Sequence, residues 1–320
     1  MQLNIFMKKL LTLLLLLSTS VWAWQPTKPI NVITGYSTGS TNELTFRKAS
    51  EIVTRNNPGV SFVIRSQPGQ DGAIAMNAVV ASDPDGYNVG VPSIFSLFVA
   101  NDIFQNDLKK YQWDSLNSVA VLGESPVAII AAVNSSVNTP AEFLQLLKKP
   151  TRFVNIATGG GTTNFLFEYL MYVNGSRNMI ENIPYKSTPE IAVAVAGGQT
   201  EFGLLPVSGA WKLAEAGKLK IIAVTGDRPL TMLPNVPVMT TVKIQSGWMF
   251  SLPPNTPKEV IDWYQQEFGR AIKTDEYRQW ADNMLITVDH NKLDPASVKK
   301  YGEFLRRTFL PVAEKTNMNK

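Results

Sequence analysis

Phe153-Val154-Asn155-Ile156-Ala157-Thr158-Gly159-Gly160-Gly161-Thr162-Thr163-Asn164 decides how this chain is read. An apolar run fit for a buried strand ends in three glycines. The residues that follow carry Phe165, Leu166, Tyr169, Leu170 and Val173 on one helical face, up to Asn174-Gly175. Glycine has no Cβ, so the loop backbone can approach a ligand closely. Thr162, Thr163 and Asn164 are good helix N-caps. Amides left unpaired at a helix start, with the positive end of the helix dipole behind them, suit an anion such as a carboxylate. A tight turn would use the same residues, and neither G-x-x-x-x-G-K-[ST] nor G-x-G-x-x-G is present.

Upstream, the same order recurs. A strand at 30–34 runs into the small-residue loop Gly35-Tyr36-Ser37-Thr38-Gly39-Ser40-Thr41-Asn42, and a helix follows with Phe46, Ala49, Ile52 and Val53 on one face. A second strand at 62–64, the turn-rich stretch Pro68-Gly69-Gln70-Asp71-Gly72, a short helix at 73–81 and a strand at 88–91 complete that group. Downstream come a strand at 127–133, the capping box Thr139-Pro140-Ala141-Glu142, and further strands at 180–185, 202–205 and 219–225. Helices open at Thr188 and behind Ser208, the first closing at Gly197-Gly198. A proline-rich connection spans 227–239. A strand at 246–252, a capping box at Thr256-Pro257-Lys258-Glu259, a helix from Asp275, a strand near 286–288 and a helix from Asp294 follow. Alternating strand and helix predicts an α/β fold with parallel sheets flanked by helices. If the two small-residue loops belong to separate domains, a ligand would sit in the cleft between them, beyond the carboxyl ends of the strands.

The first residues read as an export signal rather than as fold. Lys8 and Lys9 precede the apolar run 10–17, and Val21-Trp22-Ala23 supplies a cleavage site after Ala23. That run is too short to span a bilayer, so no stable membrane insertion is expected. Met7 is a second possible start. The predicted compartment is the periplasm. Removing 1–23 takes two lysines and no acids, leaving 28 basic against 26 acidic residues, a net +2. Near-balanced charge and the lack of a dense basic patch argue against nucleic acid as a partner. About 300 mature residues exceed one comfortable core, so two domains are expected.

The chemistry for catalysis is thin. There is no cysteine, and His290 is the only histidine, so metal sites of the usual nitrogen and sulfur type are nearly excluded. No spaced carboxylate cluster suggests calcium, and no G-x-S-x-G elbow is present. The expectation is a protein without cofactor, metal or catalytic residues.

Many short segments together resemble one family, the Bug or TctC type substrate-binding proteins of tripartite tricarboxylate transporters. They are Trp24-Gln25-Pro26-Thr27-Lys28-Pro29-Ile30, Pro68-Gly69-Gln70-Asp71-Gly72, Pro84-Asp85-Gly86-Tyr87, the triple-glycine loop and Pro184-Tyr185-Lys186. Gly197-Gly198-Gln199, Ala216-Gly217-Lys218-Leu219-Lys220 and Leu233-Pro234-Asn235-Val236-Pro237 follow, then the stretch 254–259, in order over the mature chain. The resemblance implies a two-domain periplasmic binding protein of type II, a Venus flytrap with each domain a mainly parallel sheet flanked by helices. Domain 1 would be 24–123, with 227–320 returning to it, and domain 2 would be 124–226. It implies capture of a small organic carboxylate for delivery to membrane transporter subunits, by a protein expected to be a monomer. The binding candidates are Tyr36, Ser37, Thr38, Gly39 and Ser40 from the first loop, and Thr158, Gly159, Gly160, Gly161, Thr162 and Thr163 from the second. Ser93, Tyr185 and Lys186 complete the set. The chain departs from the family pattern at Asn42, Phe165 and Leu205, where the family commonly has Asp, His and Asp. A small-acid hydrolase using the same cleft, or a sensor that shows a ligand-dependent surface to a membrane partner, are the alternative readings.

Overall fold

The computed structural model describes residues 24–174, 178–316 and 318. The export signal at 1–23 and Gly175, the expected helix stop, lie outside the described residues. Among the described residues, no helix is long and apolar enough to cross a membrane.

The chain builds two sheets joined by one strand. In the first, β1 (Ile30–Thr34) pairs in parallel with β2 (Phe62–Ser66) and β3 (Asn88–Val91). Helix α1 (Thr41–Asn56) buries Phe46, Ala49, Ile52 and Val53, as its spacing predicts, and α2 (Ala73–Val80) follows the second loop. A π-helical turn, Ser96–Ala100, runs into α3 (Asn101–Phe104), and no periodicity in the sequence announces either. Strand β4 is sixteen residues long (Asn117–Ala132), where the sequence predicts only its second half. Beyond it come α4 (Pro140–Lys148), whose capping box forms as predicted, β5 (Val154–Thr158), α5 (Gly161–Asn174) and β6 (Ile180–Pro184). The second sheet is completed by α6 (Thr188–Ala196), β7 (Phe202–Pro206), α7 (Trp211–Glu215), β8 (Leu219–Thr225) and β9 (Val238–Met239). The chain ends with β10 (Gln245–Leu252), α8 (Lys258–Ile272), α9 (Asp275–Asn283) and α10 (Pro295–Lys315).

Strand order along the shared path is β2-β1-β3-β10-β4-β7-β5-β6. The first part of β4 pairs with β10, and its last residues pair with β7 and β8. All antiparallel pairings between named strands involve β4 or β10, the two strands that connect the halves. The other pairings are parallel, as expected of strand-helix alternation.

Three local expectations fail for identifiable reasons. Helix α8 starts at Lys258 with Pro257 in the cap position, one residue too late for Thr256 to cap, and the Thr256 hydroxyl donates instead to the Pro253 carbonyl at 2.8 Å. Ser208 lies in a 3₁₀ turn ahead of α7 and caps nothing. The stretch 286–288 makes one isolated bridge, Thr287 to Glu124, instead of a strand.

Apolar packing follows the sheets. Phe46, Phe250 and Phe268 centre one core, with Phe250 and Phe268 ring centroids 4.5 Å apart. Between the halves, Phe95, Phe165 of α5 and Phe309 of α10 form a trio with centroids 5.2 to 5.5 Å apart, edge to face. Leu205 is fully buried in the core of the second sheet. Phe165 and Leu205 are thus packing residues, which accounts for two of the three departures.

Candidate functional site

The loop after β1 and the loop after β5 face one another, as the βα order requires of loops at the carboxyl ends of strands. Between them lies a cavity of about 30 Å³, lined by Tyr36, Ser40, Asn42, Asp71, Ser93, Ser96, residues 159–163, Thr188, Pro206, Ser246 and Trp248. That volume holds about one water molecule. A second cavity of about 220 Å³ adjoins it, with Tyr185 and Lys186 in its wall, and shares Tyr36, Asp71, Gly159 and Gly160. Tyr36 and Asp71 therefore stand as a partition between an inner and an outer chamber.

Helix α5 begins at Gly161, so Thr162, Thr163 and Asn164 lie within its first turn instead of capping it. Thr163 Oγ1 accepts from the Gly159 amide at 2.9 Å and donates to the Gly160 carbonyl at 3.0 Å. The Gly159 amide is thus committed, and the first-turn amides of 161–163 have no helical acceptor. Thr158 turns inward: its hydroxyl lies 2.6 Å from both Asn164 Oδ1 and Asn182 Oδ1, beneath the loop. Gly160 has φ +130, a conformation that side chains resist. A Cβ on Gly161 would stand 2.2 Å from Asp71 Oδ2 and 2.3 Å from Ala100 Cβ. Only glycines allow the halves to meet here.

Asp71, which lines both chambers, is the acid that sequence reasoning leaves out of the site. It sits in a left-handed run with Gln70 at φ 49 and Asp71 at φ 51, each costing roughly 1 kcal/mol. Oδ1 accepts from the Tyr36 hydroxyl at 3.1 Å. Oδ2 is buried and makes no hydrogen bond of ordinary geometry. Burial pushes the Asp71 carboxyl up to about 6, against the opposing pull of the Gly161 amide and the Ser96 and Tyr36 hydroxyls. Burial, followed by the Asp71 charge, raises the Tyr36 phenol well above its usual range. The seat expected for a ligand anion at the start of α5 thus has a carboxylate of the protein against it.

On the first loop, Ser40 caps α1, accepting from the Glu43 amide, and Glu43 in turn accepts from the Gly39 amide at 3.0 Å. Glu43 is ion-paired with Arg47. Asn42 is buried, its amide 3.5 Å from the Val91 carbonyl. Ser37 reaches across the cleft and donates to Glu190 at 3.0 Å, where Ser187 and the Lys186 amide also bond. Of the expected residues, Tyr36, Ser40, Ser93, Gly159, Gly160, Gly161, Thr162 and Thr163 line the inner cavity. Tyr185 and Lys186 line the outer one, while Ser37, Thr38, Gly39 and Thr158 line neither. Among the described residues, no cluster of three or more potential metal ligands occurs. His290 is exposed in a 3₁₀ turn far along the chain.

A larger cavity of about 510 Å³ opens elsewhere, against α10, α5 and residues 240–245. The charged groups beneath it are paired: Glu124 accepts from Lys292 at 2.5 Å and from the Tyr301 hydroxyl. Convergent amides and hydroxyls with bonding capacity to spare belong to the smaller site between the loops.

Comparison with known proteins shows the family and the fold. The sequence profile of the TctC family, the tripartite tricarboxylate transporter family receptor, matches residues 46–299. A UPF0065 protein of Bordetella pertussis is 25% identical over 244 residues, 74% of each chain. Another from Bordetella bronchiseptica is 26% identical over 255 residues, 77% of this chain and 75% of that one. The periplasmic binding protein BugD superposes with a TM-score of 0.84 at 20% identity, over 92% of this chain and 99% of its own. The Rhodopseudomonas palustris protein MatC, solved with bound malate, gives 0.82 at 17% identity over 92% and 100%. The R. palustris protein Rpa4515, solved with adipate, gives 0.85 at 18% over 92% and 99%. With the profile spanning most of its length, the chain belongs to the TctC family of tripartite tricarboxylate transporter receptors.

Proposed function

We propose that this protein is a periplasmic solute receptor that closes two lobes on a small carboxylate-bearing ligand and presents it to a tripartite tricarboxylate-type transporter. The observation that carries the reading is the convergence of the two strand-loop-helix units, with the first-turn amides of α5 facing hydroxyls of the first loop. Malate and adipate in structurally similar proteins support the ligand class. The lobes are 24–123 with 227–320, and 124–226, apart from Val238–Met239, which pair with β8 of the second lobe, and β4 changes partner from β10 to β7 between Pro126 and Val127. The cavity is far smaller than an organic acid, so uptake requires the lobes to part, and the Ser37–Glu190 bond is the contact that must break. The ligand is bound without turnover; the mature chain begins at Trp24 and acts as a monomer.

The test is a thermal-shift screen of mono-, di- and tricarboxylates, amino acids and aromatic acids on the processed protein. Stabilisation grows with ligand concentration for any compound that binds the folded state alone. A rise in melting temperature with at least one carboxylate is expected, and no rise with any of them overturns the proposal. Intact mass and light scattering on the same sample check the start at Trp24 and the monomer.

A further inference from the structure

We propose that Asp71 selects the ligand: its carboxylate receives a protonated nitrogen, so the solute is an amino-carboxylate and not a plain di- or tricarboxylic acid. The inference rests on the receptor reading above and narrows it.

Two observations meet at this residue. Asp71 separates the inner and outer chambers, so a ligand that bridges them must pass its carboxylate. An ionised carboxylate accepts about four hydrogen bonds, and here one oxygen has the Tyr36 hydroxyl while the other, buried beside Gly161, makes no hydrogen bond of good geometry and keeps accepting capacity to spare. The backbone that presents it is left-handed at both Gln70 and Asp71, conformations that cluster where ligands are held. A simple turn would not need an acid aimed inward from such a run.

The charges around the cleft point the same way. No lysine, arginine or histidine lines the inner cavity. Arg47 is committed to Glu43 at the start of α1. Glu190, on the opposite wall, is held by Ser37 and Ser187, and the base nearest in the lining is Lys186 in the outer chamber. A second carboxylate placed beside Asp71 meets repulsion with nothing to offset it, whereas an ammonium completes the unpaired oxygen. The ligand's own carboxylate then has the amides of 162 and 163 and the hydroxyls of Ser40, Ser93 and Ser246 to bond.

The experiment measures affinity for matched pairs that differ by one amino group: succinate with aspartate, glutarate with glutamate, and propionate with alanine. Calorimetry is run on wild-type protein expressed with its own leader, and on D71N and D71S. Wild type is expected to favour the amino member of at least one pair by tenfold or more. D71N should lose that preference while keeping or improving its affinity for the plain acid, a change that a purely structural role for Asp71 would not cause. If wild type binds the plain acids as tightly or more tightly, or if both variants fold and keep the amino preference, the inference is overturned while the receptor reading stands. Should neither variant fold, the wild-type pair ratios decide alone. Silence from every compound overturns the receptor reading and this inference with it.

Discussion

Replacing Asp71 by asparagine should make the unliganded protein more stable at neutral pH and leave it unchanged near pH 4. In the fold the carboxyl ionises at about 6, against 3.8 in an open chain. A folded pKa raised in this way adds stability below the open-chain value, and that stability is lost as pH rises through the folded value. The two pKa values differ by about 2, which at 1.36 kcal/mol per unit is about 3 kcal/mol of penalty carried by the ionised protein at pH 7. Asparagine has the same shape, keeps an oxygen for the Tyr36 hydroxyl, and carries no charge. Melting curves of wild type and D71N at half-unit steps from pH 4 to pH 8 isolate this group, because paired acids such as Glu276, held down to about 2 by Arg55 and Lys48, titrate in both proteins alike. The difference should open between pH 4 and pH 6, flatten above 7, and reach about 6 °C, taking about 2 °C per kcal/mol for a chain of this size. A difference that is constant with pH, or a variant less stable at pH 8, would refute the burial account.

Ser37→Ala removes the hydroxyl that crosses the cleft to Glu190 at 3.0 Å. A charge-assisted bond of this kind contributes about 1.5–3 kcal/mol, so affinity for any carboxylate that stabilises wild type should fall about tenfold, mainly through faster release. Stopped-flow dissociation checks this, and an unchanged off-rate counts against a closing role. Phe165→His puts the histidine that the family resemblance implies at a site that is 1% exposed, between Phe95 and Phe309. The rings of Phe95 and Phe309 that pack on this site offer an imidazole no conventional hydrogen bond, so a loss of about 2–3 kcal/mol in urea unfolding is expected, deepening below pH 6 as the imidazole charges. Wild-type stability in that variant would mean that the trio can rearrange around a polar ring.

The parts legible in the sequence were those whose signals are local. The capping box at Thr139 and Glu142 carries its own instruction, and both of its bonds form. The face of α1 reads correctly because Phe46, Ala49, Ile52 and Val53 repeat with the helical turn. The same four-letter pattern at Thr256 misleads, because the helix starts one residue later, at Lys258, and that choice lies outside the motif. The part of β4 that pairs with β10 holds Asn117, Gly123, Glu124 and Pro126, which blur a strand; pairing with β10 from over a hundred residues away supplies its order. Asp71 is the costliest omission for the site. An acid between glycines reads as a turn residue, and its meaning depends on Gly161, ninety positions on, which no periodicity connects to it.

The threading of β10 also sets the order in which the molecule can be finished. The strands β4 to β9, with their helices, are contiguous, so the second sheet has its members once residue 239 is available. The first sheet does not, because β10 lies between β3 and β4 in the strand order. A chain emerging from its N-terminus holds β3 and the first half of β4 with an open edge toward one another until Gln245–Leu252 arrive. During that interval the apolar residues awaiting Phe250, including Phe46, lack their partner. Late closure of this long-range strand makes the first lobe the slow and aggregation-exposed half of the fold.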